Sequence, residues 1–242
     1  MTMLYVYGIV DSASLGGTPL KGHDGASVFA VPCGDCAAAA SSLFGGTIAP
    51  RPRSVWLHEH VLHALMRRHA VLPLRFATTA PDESTLRNRL GPMHGALVAD
   101  LRRLRGKVEF ALRITNVHAE NPRAAPTAGE SAAAQALPPG TRHLRARAEC
   151  WRERIAGVEA ARCTERVLRR HLDPAAENAV WGLATTRTAT LIASYLVDRD
   201  AVSSFLKTVA DVRARHPTID VSCTGPWAPY SFVTVRASEA CS

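Results

Sequence analysis

The chain has 242 residues, of which 47% are hydrophobic and 21% charged, so it can form a substantial core and is not disordered overall. The net charge of +8 suggests a nucleic-acid or anionic membrane partner, but no block of Lys and Arg stands out and the charge is divided between both halves. The sequence shows neither the roughly 18–20 apolar residues of a membrane helix nor the basic region of a signal peptide. We therefore expect a cytoplasmic protein with six reduced cysteines and with neither nucleic acid nor membrane as a partner.

The first half of the chain alternates between strand-like and helix-like segments. Strands are predicted over residues 4–10, 26–31, 71–79 and 107–114. Helices are predicted over residues 54–69 and 82–104, the second interrupted at Gly91-Pro92. This alternation around one sheet predicts an α+β domain over residues 1–118, with a ferredoxin-like or split-βαβ arrangement.

The segment 71–79 is an apolar run bounded by breakers, which predicts a strand buried on both faces. Arg75 lies inside this run, and a guanidinium buried there without a partner is very costly. Two interpretations stay open: Arg75 is a structural arginine bonded to backbone carbonyls, or it is the polar point of a functional surface.

The second half begins with a segment, 119–140, that is rich in Ala, Pro and Gly and predicts a linker or mobile loop. An arginine-rich helix is predicted over 141–172, and it either contacts an acidic partner or is simply solvated. One stripe of this helix holds Leu144, Ala148, Trp151, Ile155 and Val158. Further strands are predicted over 189–197, 219–223 and 230–235, with a helix that starts after Asp198 or Asp200 and ends before Pro217. We expect a second α+β domain over 141–242, with a long helix and a small mixed sheet.

Two motifs suggest metal or redox chemistry. Cys33 and Cys36 have the spacing of a zinc or redox pair, but the sequence holds no second pair to complete a zinc site. The segment with His58, His60 and His63 resembles a zinc-protease helix, but residues 58 and 63 point about 140° apart and cannot chelate one ion. We interpret both motifs as coincidental, His58 as a hydrogen-bonded core or interdomain histidine, and expect no cofactor or metal.

Trp227 lies between Pro226 and Pro229, which hold the backbone extended and leave the indole little freedom. A rigid tryptophan is typical of interface anchors. Trp227 is either such an anchor or a plug at the end of the C-terminal core, and both can hold at once.

Four stretches, in this order along the chain, resemble the GvpF/GvpL family of gas vesicle proteins. They are Leu4-Tyr-Val-Tyr-Gly-Ile-Val10, the histidine helix leading into Val71-Leu-Pro-Leu-Arg-Phe76, Tyr195-Leu-Val-Asp198, and Thr224-Gly-Pro-Trp-Ala-Pro-Tyr-Ser-Phe232. By its distance from Val71, His58 rather than His60 matches the family histidine. The chain departs from the family pattern in having Ala77 where a glycine is usual and Ala228 where a second proline is frequent.

The resemblance implies a two-domain α+β protein without enzymatic activity, an accessory or minor structural component of gas vesicle assembly. It also implies chaperone-like binding of the small hydrophobic shell protein GvpA and of other accessory Gvp proteins. The candidate interface residues are His58, Arg75, Phe76, Trp227, Tyr230 and Phe232. The alternative is a metal-dependent or redox enzyme that uses the His58, His60, His63 and Cys33, Cys36 clusters, and a nucleic-acid binder is a third hypothesis.

Overall fold

The computed structural model describes residues 2–16, 19–45, 48–117, 138–185 and 189–235. The chain divides into two compact units. Unit 1 comprises Met1–Phe110, Leu196–Asp200 and Gly225–Ser242, and unit 2 comprises Ala111–Tyr195 and Ala201–Thr224. The boundary predicted at residue 118 and most of the linker predicted over 119–140 lie outside the described residues and stay predictions.

The described ranges contain strands and helices in an alternating order. The strands are β1 (Thr2–Val10), β2 (Val28–Cys33), β3 (Cys36–Phe44), β4 (Val71–Pro73), β5 (Thr79–Ala80), β6 (Lys107–Thr115), β7 (Asn178–Thr185), β8 (Ala189–Asp198) and β9 (Asp220–Trp227). The α-helices are α1 (Pro52–Met66), α2 (Glu83–Leu90), α3 (His94–Leu104), α4 (Pro139–Leu172) and α5 (Val202–Arg215). No described helix is long and apolar enough to cross a membrane.

The first sheet has the strand order β2-β3-β1-β4, with β5 also paired to β1, and its pairs are antiparallel. This is the strand order of a ferredoxin-like sheet, in which β3 lies between β1 and β2. Alternate side chains of β1 face opposite sides of the sheet. Val6 belongs to a core with the leucines of α2 and α3, whereas Tyr5 on the other side is bonded to α1. Helices therefore cover both faces of this sheet.

Strand β3 was not predicted, because its residues 37–40 are four alanines, which have low strand propensity. All four are fully buried, and Ala38 and Ala40 pack in the core with the α2 and α3 leucines. Gly34 and Asp35 form the two-residue turn of the β2–β3 hairpin, which brings Cys33 opposite Cys36. A Gly-Asp pair between two strand-like runs is a hairpin signal that the sequence does offer.

The continuous strand predicted over 71–79 is wrong. The chain leaves β4 after Pro73, turns, and rejoins β1 at Thr79–Ala80. The turn is closed by Thr78, whose N–H and Oγ1–H both donate to the carbonyl oxygen of Arg75, at 3.2 and 2.7 Å. Arg75 is exposed in this turn, so its side chain does not carry the burial cost expected from a strand position.

The second sheet has the order β7-β8-β6-β9 and is antiparallel, which corrects the mixed sheet expected from the sequence. Strand β7 was missed because its exposed and half-buried positions alternate without a strong apolar pattern. In unit 2, α4 packs against α5. Tyr195 is fully buried there; its hydroxyl donates to Asp173 at 3.0 Å and its ring lies 5.3 Å from that of Phe205.

The strand predicted over 230–235 is also wrong. Residues Tyr230–Phe232 form a single 3-10 turn instead. Its backbone is bonded to a buried side chain rather than to a strand, since the N–H of Ser231 donates to the carboxylate of Glu109 at 2.8 Å.

Candidate functional site

A cluster of buried polar and aromatic side chains surrounds His58 in unit 1. His58 lies on the inner face of α1 and is only 1% exposed. Rings lie around it at centroid distances of 5.7 Å for Tyr5, 5.6 Å for Tyr7 and 6.0 Å for Phe76. All three rings come from β1 or from the turn after β4, so the sheet positions the cluster.

The hydrogen bonds of His58 define its protonation state. Nε2 lies 3.1 Å from the carbonyl oxygen of Leu74, which can only accept, so Nε2 carries the proton. Nδ1 then accepts from the hydroxyl of Tyr5 at 2.8 Å, and that hydroxyl accepts from the N–H of Ala77 at 3.1 Å. Burial lowers the pKa of His58 to about 4, which keeps the ring neutral at physiological pH.

Tyr230 joins the same cluster from the other end of the chain. Its hydroxyl lies 3.1 Å from Nε2 of His58 and donates to Oε1 of Glu59 at 2.7 Å. Burial raises the pKa of Tyr230 and also that of Glu59. The hydroxyl of Tyr230 therefore links two neighbouring side chains of α1 to residues 225–235, which we call the closing segment.

Two buried carboxylates hold the rest of the closing segment. Asp100, 3% exposed, accepts the N–H groups of Thr234 at 2.7 Å and Val235 at 3.2 Å. Glu109, 5% exposed, accepts the hydroxyl and N–H of Ser231. Burial alone would raise the pKa of Asp100, but the hydrogen bonds from Arg103 and Thr234 outweigh it and lower that pKa.

The Gly225-Pro226-Trp227 stretch approaches the start of β6 closely. A Cβ on Gly225 would lie 2.8 Å from the carbonyl oxygen of Glu109 and 2.8 Å from Cδ1 of Phe110, and the φ of Gly225 is +139°. Only glycine fits this position. This close contact fixes the position of the backbone from which the Trp227 side chain projects.

Trp227 is half-buried, and its ring centroid lies 6.4 Å from that of Trp56 on α1. Trp56 is 65% exposed. Sequence reasoning missed Trp56, although a signal was present: it lies two residues before His58, which places it on the opposite, solvent side of a helix. We call Trp56 and Trp227 the tryptophan pair.

The structure separates the six candidate interface residues into three classes: buried, half-buried and exposed. His58 and Phe232 are buried, at 1% and 5% exposure, so both are engaged in packing rather than available to a partner. Arg75 is exposed, and the remaining three are half-buried: Phe76, Trp227 and Tyr230.

The histidines and cysteines of the enzyme hypothesis do not converge. His60 and His63 are exposed on α1, while both ring nitrogens of His58 are occupied inside unit 1. Burial raises the pKa of Cys36 to about 11, so its thiol stays protonated at neutral pH. Among the described residues, no group of three or more His, Cys, Asp or Glu side chains is placed to hold a metal ion.

Comparison with known proteins assigns the chain to a family. The model of a family described as "Gas vesicle synthesis protein GvpL/GvpF" matches residues 3–234. The chain belongs to this family. Gas vesicle protein L of Streptomyces sp. (strain CB03234) is 36% identical over 190 residues, which cover 75% of this chain and 69% of that protein. Gas vesicle protein F2 of Halobacterium salinarum is 24% identical over 237 residues, covering 96% and 93% of the two chains.

Two crystal structures share the fold. GvpF from Microcystis aeruginosa superimposes with a TM-score of 0.75 at 18% identity and covers 96% of this chain and 99% of its own. GvpF from Anabaena sp. PCC7120 gives 0.71 at 18% identity, with 97% of each chain covered. These matches confirm the α+β fold, and the family match confirms the resemblance drawn from the sequence. The protein is a gas vesicle protein that takes part in gas vesicle formation.

Proposed function

We propose that this protein acts in the cytoplasm as a non-catalytic assembly factor, or minor structural component, that binds the shell protein GvpA and other accessory Gvp proteins. The observation that supports this proposal best is the tryptophan pair: Trp56 is 65% exposed beside Trp227. An exposed indole on a rigid support is typical of protein interfaces and otherwise unfavourable in water.

The backbone that carries Trp56 and Trp227 is held by other contacts, and this favours a binding role over exposure without a function. Trp56 projects from a helix, and Trp227 belongs to the closing segment, which is hydrogen-bonded at Glu59, Glu109 and Asp100. Both rings are therefore ordered before a partner arrives, so little conformational entropy is lost on binding. A small hydrophobic shell protein that aggregates before assembly would gain from such a partner, which holds it until it joins the growing shell. Arg75 and Phe76, in the turn after β4, are further candidate contacts.

A pull-down of purified GvpA by the full chain tests this proposal. We expect the wild type to retain GvpA and the double variant Trp56→Ala/Trp227→Ala to lose it. Leu206→Ala is the matched control, because Leu206 is an exposed apolar side chain, 42% accessible, on α5. Circular dichroism verifies that each variant is folded.

Three results would overturn the proposal. One is a wild type that does not retain GvpA, and another is equal retention by the double variant. The third is turnover of a small molecule, or stoichiometric zinc or iron in the purified protein, which would favour the enzyme alternative. Salt-dependent retention of DNA or RNA would instead favour a nucleic-acid binder.

A further inference from the structure

Two thiols lie opposite each other at the end of the β2–β3 hairpin in unit 1. Cys33 is paired with Cys36 in the antiparallel register, and only Gly34 and Asp35 separate them. Residues directly opposite on antiparallel strands have Cα atoms about 4.5–5.5 Å apart, and a disulfide needs a Cα separation of about 4.4–6.8 Å. The backbone therefore already holds these two cysteines, both free thiols in the structure, at a separation that a disulfide can bridge.

Both cysteine side chains lie on the same face of the sheet. Cys36 belongs to the core that contains the leucines of α2 and α3, and the half-buried Cys33 packs against that core. The thiol of Cys36 donates to the carbonyl oxygen of Cys33 at 3.3 Å, so its sulfur already points back across the turn. The thiol of Cys33 makes a long bond, 3.6 Å, to the carbonyl oxygen of Val31. A rotation of Cys33 about χ1 exchanges this weak bond for an approach to Cys36.

The turn between the two cysteines is held by His94, the first residue of α3. Gly34 has a φ of +69°, which suits the first central position of a type II′ hairpin turn. The N–H of Asp35 donates to Nε2 of His94 at 3.2 Å, and a Cβ on Gly34 would lie 2.6 Å from the same nitrogen. An unfolded chain must first find this turn, whereas the folded chain holds both cysteines in it. Little conformational entropy is therefore left to lose when a bond joins them.

The two thiols differ in their access to solvent. Cys36 is fully buried, whereas Cys33 is half-buried. Arg87 lies beside Cys33, since its Nε donates to the carbonyl oxygen of Pro32 at 3.2 Å. The charge of Arg87 opposes the burial that raises the pKa of Cys33. A dissolved oxidant therefore reaches Cys33 first, and Cys36 reacts only from inside the fold.

From this geometry we propose that Cys33 and Cys36 form a reversible disulfide across the turn by exchange with a low-molecular-weight disulfide such as glutathione disulfide. Cys33 loses its proton to solvent and attacks one sulfur of glutathione disulfide, whose S–S bond breaks and releases one glutathione. Cys36 then loses its proton and attacks the sulfur of Cys33, which releases the second glutathione. The two cysteines lose two protons and two electrons in all, and one glutathione disulfide becomes two glutathione thiols.

The burial of Cys36 affects both directions of this exchange, because it raises the pKa of the thiol to about 11. The closing attack needs the scarce thiolate, but it is intramolecular and gains from the proximity that the turn provides. In the reverse direction Cys36 is a poor leaving group, so the bond is slow to reduce once it has formed. The disulfide would fix the register of β3, whose four alanines have low strand propensity.

The test uses the full folded chain in glutathione buffers of graded redox ratio, followed by acid quenching, alkylation of free thiols and mass spectrometry. One tryptic peptide, residues 22–53, carries Cys33 and Cys36 and no other cysteine. We expect this peptide to become two hydrogen atoms lighter, and dithiothreitol to restore both thiols. At a given glutathione ratio, the ratio of disulfide to dithiol should be at least about tenfold higher in the folded chain than in concentrated urea, because only the folded chain holds the turn.

Single variants separate the two steps of the exchange. Cys36→Ala should leave Cys33 joined to glutathione, because the closing thiol is missing, and Cys33→Ser should leave the buried Cys36 unmodified. Cys150→Ser/Cys163→Ser is the control: both cysteines are exposed on α4, so the yield of the hairpin disulfide should equal that of the wild type. Circular dichroism verifies that each variant is folded.

The proposal is overturned if residues 22–53 of the wild type stay a dithiol at every glutathione ratio, or stop as a mixed disulfide with glutathione. It is also overturned if the ratio of disulfide to dithiol is the same in the folded chain and in urea, because the hairpin then contributes nothing. None of these outcomes depends on whether the chain binds GvpA.

Discussion

Ala77 has a backbone conformation that suits glycine. Its φ is +66°, in the left-handed region that costs an alanine about 1–2 kcal/mol. The conformation is retained because the N–H of Ala77 must reach the hydroxyl of Tyr5, 3.1 Å away, to complete the bonds around His58. The glycine that the family resemblance implies at this position would thus have a physical reason, and in this chain an alanine adopts the same conformation.

We expect Ala77→Gly to stabilise the protein by about 0.5–1 kcal/mol, since relief of the left-handed strain exceeds the greater entropy of an unfolded glycine. Urea unfolding measures this as a higher midpoint at constant slope. Ala156→Gly, at an exposed position of α4, is the control and should destabilise by up to about 1 kcal/mol. If both variants are destabilised alike, the strain at Ala77 is refuted.

The neutral state of His58 makes stability depend on pH. Its pKa is lowered to about 4 in the folded state, below its ordinary value of 6.5, so the unfolded chain binds the proton more readily. The contribution of His58 to the free energy of unfolding is therefore fully present above pH 6.5 and is lost as the pH falls toward 4. The buried His23, whose pKa is also lowered, acts in the same direction. Glu59, whose pKa is raised, acts in the opposite direction above pH 4.5.

We expect the free energy of unfolding to fall by about 2 kcal/mol between pH 7.5 and pH 5 through His58 alone. His58→Gln should reduce this fall, because glutamine does not titrate. His60→Gln, on the exposed side of α1, should leave it unchanged. Denaturant titrations at the two pH values measure the difference, and parallel pH dependence in all three proteins would contradict the assignment.

At the scale of elements, the path of the closing segment depends on Gly225. A side chain there would collide with the carbonyl of Glu109 and the ring of Phe110, both at 2.8 Å. Gly225→Ala should destabilise the protein by about 2–4 kcal/mol, as over-packing and backbone strain add. Gly95→Ala is the control, because a Cβ there meets no atom within 4 Å and the position is helical, so it should stabilise. Thermal unfolding distinguishes the two, and equal behaviour would refute the close approach.

Asp100 holds the far part of the closing segment. Replacing it by Asn keeps the shape but removes the charge that pairs with Arg103 at 2.7 Å and strengthens the bonds from Thr234. Asp100→Asn should raise the amide exchange rates of Thr234 and Val235 at least about tenfold, a loss of roughly 1.4 kcal/mol of protection. Asp35→Asn, an exposed position, should not change them. Unchanged rates in Asp100→Asn would mean that other contacts hold the segment.

Elements with strong apolar periodicity were predicted from the sequence. The first strand, the α1 helix and the long α4 helix have such patterns and were found. The alanine-rich β3 was missed because its burial comes from small size, not from a pattern of large residues. The turn at Arg75 and the 3-10 turn at Tyr230 were missed for another reason. The first is held by the bond from Ala77 to the hydroxyl of Tyr5 and the second by the bond from Ser231 to Glu109, and no local window contains these distant partners.

The candidate site was predicted in part. The sequence drew attention to the Trp227 segment and predicted His58 as a hydrogen-bonded core or interdomain histidine. It could not name the partners of His58, since Tyr5 and Tyr230 are 53 and 172 residues away. Trp56 was overlooked although its place two residues before His58 indicates the opposite face of α1. The structure shows its side chain 65% exposed.

At the scale of the whole molecule, the proposed role makes a prediction about the host. A strain that lacks this gene should form few or no intact gas vesicles and should sink, and the wild-type gene should restore flotation. Trp56→Ala/Trp227→Ala should fail to restore it, whereas Leu206→Ala should succeed. Electron microscopy and a flotation assay measure the outcome, with immunoblotting to verify equal protein levels. Normal flotation of the deletion strain would refute the role.

Unit 1 is assembled from stretches at both ends of the chain, and this affects how it matures during synthesis. The ribosome makes residues 1–110 early, but the groups that satisfy Asp100, Glu109 and Glu59 arrive only with residues 230–235. Until then two nearly enclosed carboxylates have no closing segment to bind, and the unit is left less stable. A nascent chain that stops before residue 225 would thus be a preferred target for quality-control proteases, so only chains translated through this point would persist to meet their partners.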